Sequence, residues 1–289
     1  KWLTTDCRET LERASARETT SRVAAGALAR CLLQTFDIEV LGLVRSIGPV
    51  ETAVEVTAEN RREVATARDA SDVYCPDPDA SEQMRAVIRQ AKIDKDTVGG
   101  LVEAHVFGCP IGLGSSMDWR LKLDARLAYA VMGIQAFKCV EIGMGKGCAA
   151  LPGSKVHDPI RFDAGRKSEA SLGFTRDSNN AGGLEGGMTN GMPVVVRGTM
   201  KPISTLLRGL PSVNLNTKEP EHSQYERSDI CAVSAASVVM ENVVAFEIAR
   251  AALDKFGGDS VLETKQNYER FMEVARLLPL EPPLGDVIA

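Results

Sequence analysis

Two arginines lie four positions apart in the segment RASARET at positions 13–19. On a helix, Arg13 and Arg17 share one side with Ser15 between them, so two guanidinium groups and a hydroxyl can bind one polyanion. The alternative is a solvated face on which the arginines pair with Glu9, Glu12 and Glu18, which is the commoner outcome for isolated pairs. This segment alone leaves both interpretations open.

A second candidate is the segment KPIST, which runs from Lys201 to Thr205. It places an ammonium group beside two hydroxyls, and Pro202 restricts the backbone between them. Such a set can hold a phosphate or another acidic group. The alternative is a solvated lysine followed by a Ser/Thr helix cap, and the segment taken alone favours that alternative.

A glycine-rich block at positions 182–191 reads GGLEGGMTNG, with five glycines in ten residues. Glycine lets the backbone approach a ligand closely or adopt positive φ, and five exceed what one turn requires. The block matches neither the dinucleotide-binding GxGxxG pattern nor the GxxxxGK[ST] phosphate loop. The alternative is a mobile loop without a ligand.

The segment ERSDICA contains Arg227 and Asp229, which form either an ion pair or part of a working site. The histidines give less information. His105 falls on the outward face of an expected strand, and His157 and His222 fall in polar stretches, so we predict surface or loop-packing roles for all three. No Ser, His and Asp constellation for nucleophilic catalysis is recognisable.

Composition excludes some classes of protein. The 289 residues carry 34 basic and 39 acidic side chains, which argues against a general nucleic-acid binder. The seven cysteines show no metal-ligand spacing and predict reduced thiols and no metal site. No apolar run approaches the length of a membrane helix, so we expect a soluble protein. The first residue is Lys1 rather than methionine, as in a fragment.

The elements that must position these groups alternate between helix and strand. A helix is expected from a capping box at Asp6 through about Gln34, with an apolar line at Ala24, Leu28, Cys31 and Leu32. A strand at positions 38–47 then ends in a turn at Gly48 and Pro49. Positions 51–75 show no steady period. A helix at positions 81–91 and an alternating strand at positions 97–107 follow.

The same order then recurs, with a helix at positions 118–133 and a strand at positions 136–143, which weakly indicates internal duplication. Positions 152–191 read as a long functional or mobile loop before a short strand at positions 192–197. A long helix follows, with an apolar stripe at Val239, Val243, Phe246, Ala249 and Leu253, and it ends near Gly257. These elements predict a mixed α and β fold in one domain over residues 1–289.

Several segments occur together in one order: RASARET, RVAAGALA at 22–29, GLGS with KLDARLA at 112–128, GIQAFKCVEIG at 133–143, NNAGGLEGGMTNGMP at 179–193, KPIST and ERSDICAV. This series resembles the chorismate synthase family from about Leu11 to Asn267. The resemblance implies a β-α-β sandwich with an internal pseudo-repeat. It also implies a lyase reaction in which 5-enolpyruvylshikimate 3-phosphate loses phosphate and a ring proton by anti-1,4-elimination, assisted by reduced FMN.

The resemblance also implies roles for individual residues. Arg17 and Ser15 would bind substrate, and Asp229 matches the family aspartate that helps to take the ring proton by way of N5 of the reduced flavin. The positions that match FMN contacts of the family are Arg13, Ala14, Ser15, Gln135, Ala136, Gly186, Lys201, Pro202, Ile203, Ser204, Thr205 and Arg227.

The sequence departs from the family pattern in several places. The two catalytic-histidine motifs, GESHG-like and RPGHAD-like, precede the RxSARE helix in the family, and neither occurs here. We therefore expect an N-terminally incomplete chain, with a loss of the roughly 10² to 10⁴-fold that general-acid groups contribute. Cys139, Lys146 and Ser234 stand where the family usually has Gly, Phe and Pro.

The resemblance further implies a homotetramer in the cytoplasm, a link to NADP, and neither nucleic-acid nor membrane partners. A competing hypothesis is a non-catalytic flavin-binding or oligomer-interface remnant of the same family. A third is a structural fragment that exposes apolar surface and aggregates.

Overall fold

The computed structural model describes residues 3, 10, 16–223 and 229–278. In these ranges the chain forms helices of very different lengths, and two short 3₁₀ segments at Gly145–Ala150 and Ala164–Arg166. No helix in the described ranges is long and apolar enough to cross a membrane. The helices are α1 Ala16–Gln34, α2 Arg61–Asp69, α3 Pro78–Ile93, α4 Leu123–Met132, α5 Gly153–Val156, α6 Val233–Phe256 and α7 Val261–Ala275.

The strands form one antiparallel five-stranded sheet and three small hairpins. The main sheet has the order β2-β1-β3-β9-β4. The hairpins are β5–β6, β7–β8 and β10–β11. The strands are β1 Glu39–Ile47, β2 Val50–Glu51, β3 Gly100–Phe107, β4 Phe137–Ile142, β5 Ile160–Phe162, β6 Phe174–Arg176, β7 Leu184–Glu185, β8 Met188–Thr189, β9 Val194–Met200, β10 Pro211–Val213 and β11 Pro220–His222.

The sheet repeats one pattern on each side of its centre. Helix α1 precedes β1, which pairs with β3, and helix α4 precedes β4, which pairs with β9. Strands β3 and β9 pair with each other, from Gly100 opposite Met200 to Val106 opposite Val194. Both helix-to-strand units expected from the sequence are therefore present in one sheet.

Helix α6 is the centre of the core. It packs against β1 and β3 on one side and against α1 and α4 on others, so most of its residues are buried, including Met240, Val244 and Ile248. A helix that is apolar nearly all round is one that other elements enclose. Helix α1 approaches it closely at Gly26, where an added Cβ would lie 2.3 Å from the carbonyl oxygen of Asn242.

Most predicted elements are confirmed, with shifted ends. The first helix ends at Gln34, β1 ends at the Gly48 turn, and α6 ends at Phe256 before Gly257. The helix expected at positions 118–133 begins only at Leu123, because Asp118 accepts hydrogen bonds from the backbone of Arg120 and holds a turn. Positions 51–75, where the sequence shows no steady hydrophobic period, contain the helix α2. The helix α7 was also not predicted.

The predicted apolar face of α1 was wrong, and the predicted stripe of α6 was right at Val239, Val243 and Ala249 only. Leu28 lies on the apolar line expected for α1, yet it is 74% exposed, whereas Gly26, Ala29 and Leu33 are buried. Phe246 and Leu253, part of the α6 stripe, are 46% and 42% exposed. The reason is that close contact between α1 and α6 requires small side chains, so the larger ones on both helices lie beside the contact.

These side chains line an apolar groove of about 660 Å³ between α1 and α6, which we call the outer groove. Its wall continues past Tyr129 of α4, which is 85% exposed. The residues that line it are Ala25, Leu28, Ala29, Cys31, Leu32, Thr35, Phe246, Ala249, Arg250, Leu253, Asp254 and Val261.

The prediction for His105 was also wrong. It points away from the face that carries Val102, Ala104 and Val106, as expected, but it is only 4% exposed. Its ring stacks on Phe107 and its Nε2 hydrogen-bonds to Glu103. The segment after β2 covers this face, because Arg45 donates to the carbonyl oxygens of Thr52 and Val54 at 3.1 and 2.7 Å. His157 and His222 are exposed, as predicted.

Candidate functional site

The KPIST segment begins where β9 leaves the main sheet, beside the turn that connects α4 to β4. The backbone N–H of Lys201 donates to the carbonyl oxygen of Ala136 at 2.9 Å. Met200 and Phe137, the neighbouring residues, are register partners in the sheet. Two segments that are 65 positions apart in the sequence, and that were predicted to contact one ligand, are thus joined directly.

The segment before β3 forms the other support. Thr97 donates its hydroxyl to the carbonyl oxygen of Ile203 at 2.6 Å, and the backbone N–H of Val98 donates to the carbonyl oxygen of Ile230 at 3.0 Å. Gly99 lies so close that an added Cβ would be 2.3 Å from the carbonyl oxygen of Met200. Asp229, which precedes Ile230 and is exposed, is therefore brought to the same end of the sheet as the KPIST segment.

Three basic side chains lie at or near this end of the sheet. Lys201 is exposed and makes no ion pair within the described ranges. Arg208, which follows the KPIST segment, is paired with Asp96 at 2.6 Å. Arg17 is exposed near the start of α1. An unpaired ammonium group beside backbone amides suits an anionic ligand.

Glu18 connects the start of α1 to the same turn. Its carboxylate accepts a hydrogen bond from the side-chain amide of Gln135 at 2.7 Å, and it is also paired with Arg22 one helical turn further on. Burial alone would raise the pKa of Glu18, but the hydrogen bonds from Gln135 and Arg22 outweigh it and hold the pKa below its usual value. The sequence predicted only that Glu18 would neutralise an arginine, and no local signal indicated Gln135 as its partner.

Gly186 is not brought to this group within one chain. The next residue, Gly187, accepts a hydrogen bond at its carbonyl oxygen from the backbone N–H of Leu123 at 2.8 Å, at the start of α4. Ala136 follows the other end of that ten-residue helix, which is about 15 Å long. Gly186 itself has φ +61 and open space around it. Its predicted contact with FMN stays a prediction.

Four predicted site residues, Arg13, Ala14, Ser15 and Arg227, lie outside the described residues. Of the others, Gln135, Ala136, Asp229 and the residues from Lys201 to Thr205 occupy one end of the sheet, and Arg17 lies on α1 next to Glu18. Together they supply an exposed cation, backbone and hydroxyl donors, and a carboxylate that can accept a proton. The arrangement can bind an anionic ligand and remove a proton from it.

A second polar network lies on the covered face of the sheet. Glu103 is 1% exposed and is paired with Arg45 at 2.6 Å and with Arg197, while His105 hydrogen-bonds to it. Burial would raise the pKa of Glu103, but His105 and the two arginines hold it far below its usual value. Both guanidinium groups also donate to backbone carbonyls. Each arginine is thus bound both to Glu103 and to the backbone, so we assign this network to stability.

Comparison with known proteins gives one consistent result. A sequence model of the family described as "Chorismate synthase" matches residues 1–253. A chorismate synthase of Geobacter sulfurreducens is 52% identical over 272 residues, which cover 94% of this chain and 69% of that protein. One from Desulforudis audaxviator is 53% identical over 273 residues, covering 94% and 67%.

A solved structure agrees with the sequence relatives. The crystal structure of a chorismate synthase superimposes with a TM-score of 0.81 at 37% identity, covering 95% of this chain and 75% of that one. Similarity therefore extends over nearly all of the described fold, including the sheet end where the candidate site lies.

Proposed function

Because the chain belongs to the chorismate synthase family, we propose that its protein converts 5-enolpyruvylshikimate 3-phosphate to chorismate. Members of this family are lyases that require a flavin, and we propose FMN in its reduced form. In the reaction the bond between a ring carbon and the phosphate oxygen breaks, a ring proton leaves, and a second ring double bond forms. The observation that supports this best is the meeting of Ala136, Lys201 and the segment of Asp229 at one end of the sheet.

The residues at this end fit a flavin and a polyanionic substrate. Lys201 and Arg17 would attract the phosphate and carboxylates, and the hydroxyls of Ser204 and Thr205 would add donors. Asp229, held through Ile230, would accept the proton that leaves the ring. Reduced FMN, when bound, supplies electron density that assists departure of the phosphate and is not consumed.

We propose a homotetramer in the cytoplasm as the working assembly. The position of Gly186 supports association of copies, because it lies at the opposite end of α4 from Ala136. A neighbouring copy that provides Gly186 to the flavin held by Ala136 and Lys201 would explain its predicted FMN contact without one flavin having to extend along the whole of α4. A link to NADP, through reduction of the flavin, completes the proposal.

The competing hypothesis of a non-catalytic remnant has less support. The relatives are chorismate synthases whose sequences are 52% and 53% identical to this one over 94% of the chain. Two of the segments predicted to bind the flavin, those of Ala136 and Lys201, are also joined by a backbone hydrogen bond.

The test is anaerobic turnover by the full-length gene product with 5-enolpyruvylshikimate 3-phosphate and chemically reduced FMN. We expect equal amounts of chorismate and inorganic phosphate, measured by chromatography and a phosphate assay. Lys201→Met should raise the KM for substrate or FMN, whereas Lys265→Met, which removes an exposed lysine on α7, should not. Absence of chorismate from the wild-type protein, with FMN shown to be bound, would overturn the proposal.

A further inference from the structure

Glu18 has a role that its sequence position does not indicate. Its carboxylate holds the side chain of Gln135, a residue 117 positions away, at a partly buried contact between α1 and the turn after α4. An ionised carboxylate only accepts hydrogen bonds, so the NH₂ group of Gln135 must face it. Oε1 of Gln135 is then directed elsewhere, and it is buried without a partner among the described residues. The orientation of this amide is therefore set by Glu18.

The turn that Gln135 begins has an unusual backbone. Ala136 has φ +66, a left-handed conformation that costs a residue with a Cβ about 1–2 kcal/mol. Such a conformation persists only where the surroundings hold it. Two contacts do so here: the bond from Gln135 to Glu18, and the bond from the N–H of Lys201 to the carbonyl oxygen of Ala136.

The backbone N–H groups of this turn are available to a ligand. Those of Gln135 and Ala136 donate to no acceptor in the described part of the chain. Successive N–H groups in a turn that includes a left-handed residue form a concave site for anions. Lys201, which is exposed and has no ion pair with another described residue, begins the adjoining segment and adds a positive charge.

Resting on the proposed function, we propose that Glu18, supported by Arg22, is a positioning residue for the ligand site. It fixes the Gln135–Ala136 turn so that its backbone N–H groups, which have no acceptor among the described residues, bind an anionic oxygen group beside Lys201. Two ligands of the reaction carry such a group, the phosphate of FMN and the phosphate of the substrate. Arg22 contributes by keeping the carboxylate ionised and in place through its ion pair.

The test replaces Glu18 by methionine, which keeps the length of the side chain and its helix propensity but removes the acceptor. We expect about ten-fold weaker binding, as for loss of a hydrogen bond to a charged group. Titrations of the full-length protein with FMN, with riboflavin, and with substrate in the presence of FMN identify the ligand. Weaker binding of FMN but not of riboflavin assigns the turn to the FMN phosphate, and a raised KM for substrate alone assigns it to the substrate phosphate.

Three further variants separate positioning from general stability. Glu18→Gln keeps an acceptor and should recover most of the affinity. Gln135→Met should reproduce the loss, and the double variant Glu18→Met with Gln135→Met should be no worse than either alone, because both remove one interaction. Glu82→Met, which breaks ion pairs to Arg85 and Arg89 on exposed α3, is the matched control and should bind normally.

The inference is wrong if Glu18→Met binds FMN, riboflavin and substrate as the wild type does. It is also wrong if Glu18→Met and Glu18→Gln both lower the melting temperature and the affinity of each falls only in proportion to that loss of stability. If the wild-type protein neither binds FMN nor forms chorismate, the proposed function itself has failed. The wild-type measurement therefore distinguishes the two failures.

Discussion

At the scale of single residues, the exposed groups that would do chemistry are positioned by backbone hydrogen bonds of the same residue or the next one. Asp229 is exposed, but the next residue, Ile230, is tied to Val98 through its carbonyl oxygen. Lys201 is exposed, but its backbone is tied to Ala136. The side chains are therefore solvated while their main chain is positioned, which suits groups that must meet a ligand entering from solvent.

The proposed role of Asp229 predicts a specific kinetic change. Asp229→Asn keeps the shape of the side chain but removes the group that accepts a proton, so kcat should fall by about a hundred-fold or more. The affinity for FMN should change little, because the variant retains polarity and size. Anaerobic steady-state kinetics and flavin titration would measure both. Asp259→Asn, at an exposed aspartate before α7, is the control, and an unchanged kcat in Asp229→Asn would contradict the role.

At the scale of elements, the contact of α1 with α6 depends on the absence of a side chain at position 26. A methyl group on Gly26 would meet the carbonyl oxygen, carbonyl carbon and Cβ of Asn242 at 2.3–2.6 Å. Two of these atoms belong to the backbone and the third is the Cβ attached to it, so none can move aside by a side-chain rotation. The helices would therefore have to separate. Since α1 carries Glu18 and Arg17, their distance from the turn after α4 depends on this contact.

Gly26→Ala should therefore lower the free energy of unfolding by about 1–3 kcal/mol, the usual cost of overpacking a core. The higher helix propensity of alanine offsets only part of this cost. Urea unfolding followed by circular dichroism would measure it. Gly153→Ala is the matched control, because an added Cβ there meets only the His157 ring at 3.5 Å or more. Equal stability of the two variants would show that the helices can adjust.

The Glu103 network joins three strands and predicts a dependence of stability on pH. The pKa of Glu103 is lowered in the folded protein, so its contribution is present above the ordinary pKa of a glutamate and is lost as the pH falls below about 4. Glu103→Gln leaves Arg45 and Arg197 without their carboxylate and should cost about 3–5 kcal/mol at neutral pH.

Urea unfolding at neutral and acid pH would test this expectation. The stability difference between wild type and Glu103→Gln should shrink in acid, because Glu103 of the unfolded wild type then binds a proton that the folded state, with its lowered pKa, does not. Glu269→Gln, at an exposed glutamate of α7, should show little difference at either pH. A difference that stays constant with pH would mean that packing, rather than charge, explains the loss.

At the scale of the whole molecule, the outer groove is an exposed surface lined mainly by apolar side chains. Leu28, Tyr129 and Phe246 are exposed along the side of α1, α6 and α4 that faces away from the sheet. Contiguous apolar patches of this kind mark an interface or an aggregation liability. The groove therefore bears on how this chain associates in solution.

The chain as described should self-associate through the outer groove. Replacing Leu28 and Phe246 by lysine should reduce association and the binding of a fluorescent apolar dye, because charges in the groove oppose its burial. Sedimentation velocity at several concentrations would measure this. Thr217→Lys, in the exposed β10–β11 turn, adds charge elsewhere and should have no effect. Unchanged association of the double variant would locate the interface on another surface.

Local patterns predicted most of the elements. Period and turn signals placed β1, α3, β3, β4 and α6, because side-chain burial repeats within each element. The helix α2 was missed because its stretch is short and mostly charged, with only Val64 and Arg68 buried. The face of α1 was wrong because its contact with α6 selects small residues, and small residues carry little hydrophobic signal.

By itself, the sequence determined the family, the order of the elements and the segments that should meet a ligand, since these depend on residues that are neighbours in the chain. Only the tertiary structure decided that Glu18 holds Gln135, that His105 is buried and that Gly186 lies a helix length from Ala136. The physical reason is the same in each case. Such contacts join residues that are far apart in the chain. A contact of this kind produces no repeating pattern in the sequence around either residue, so neither partner can be identified from its neighbours.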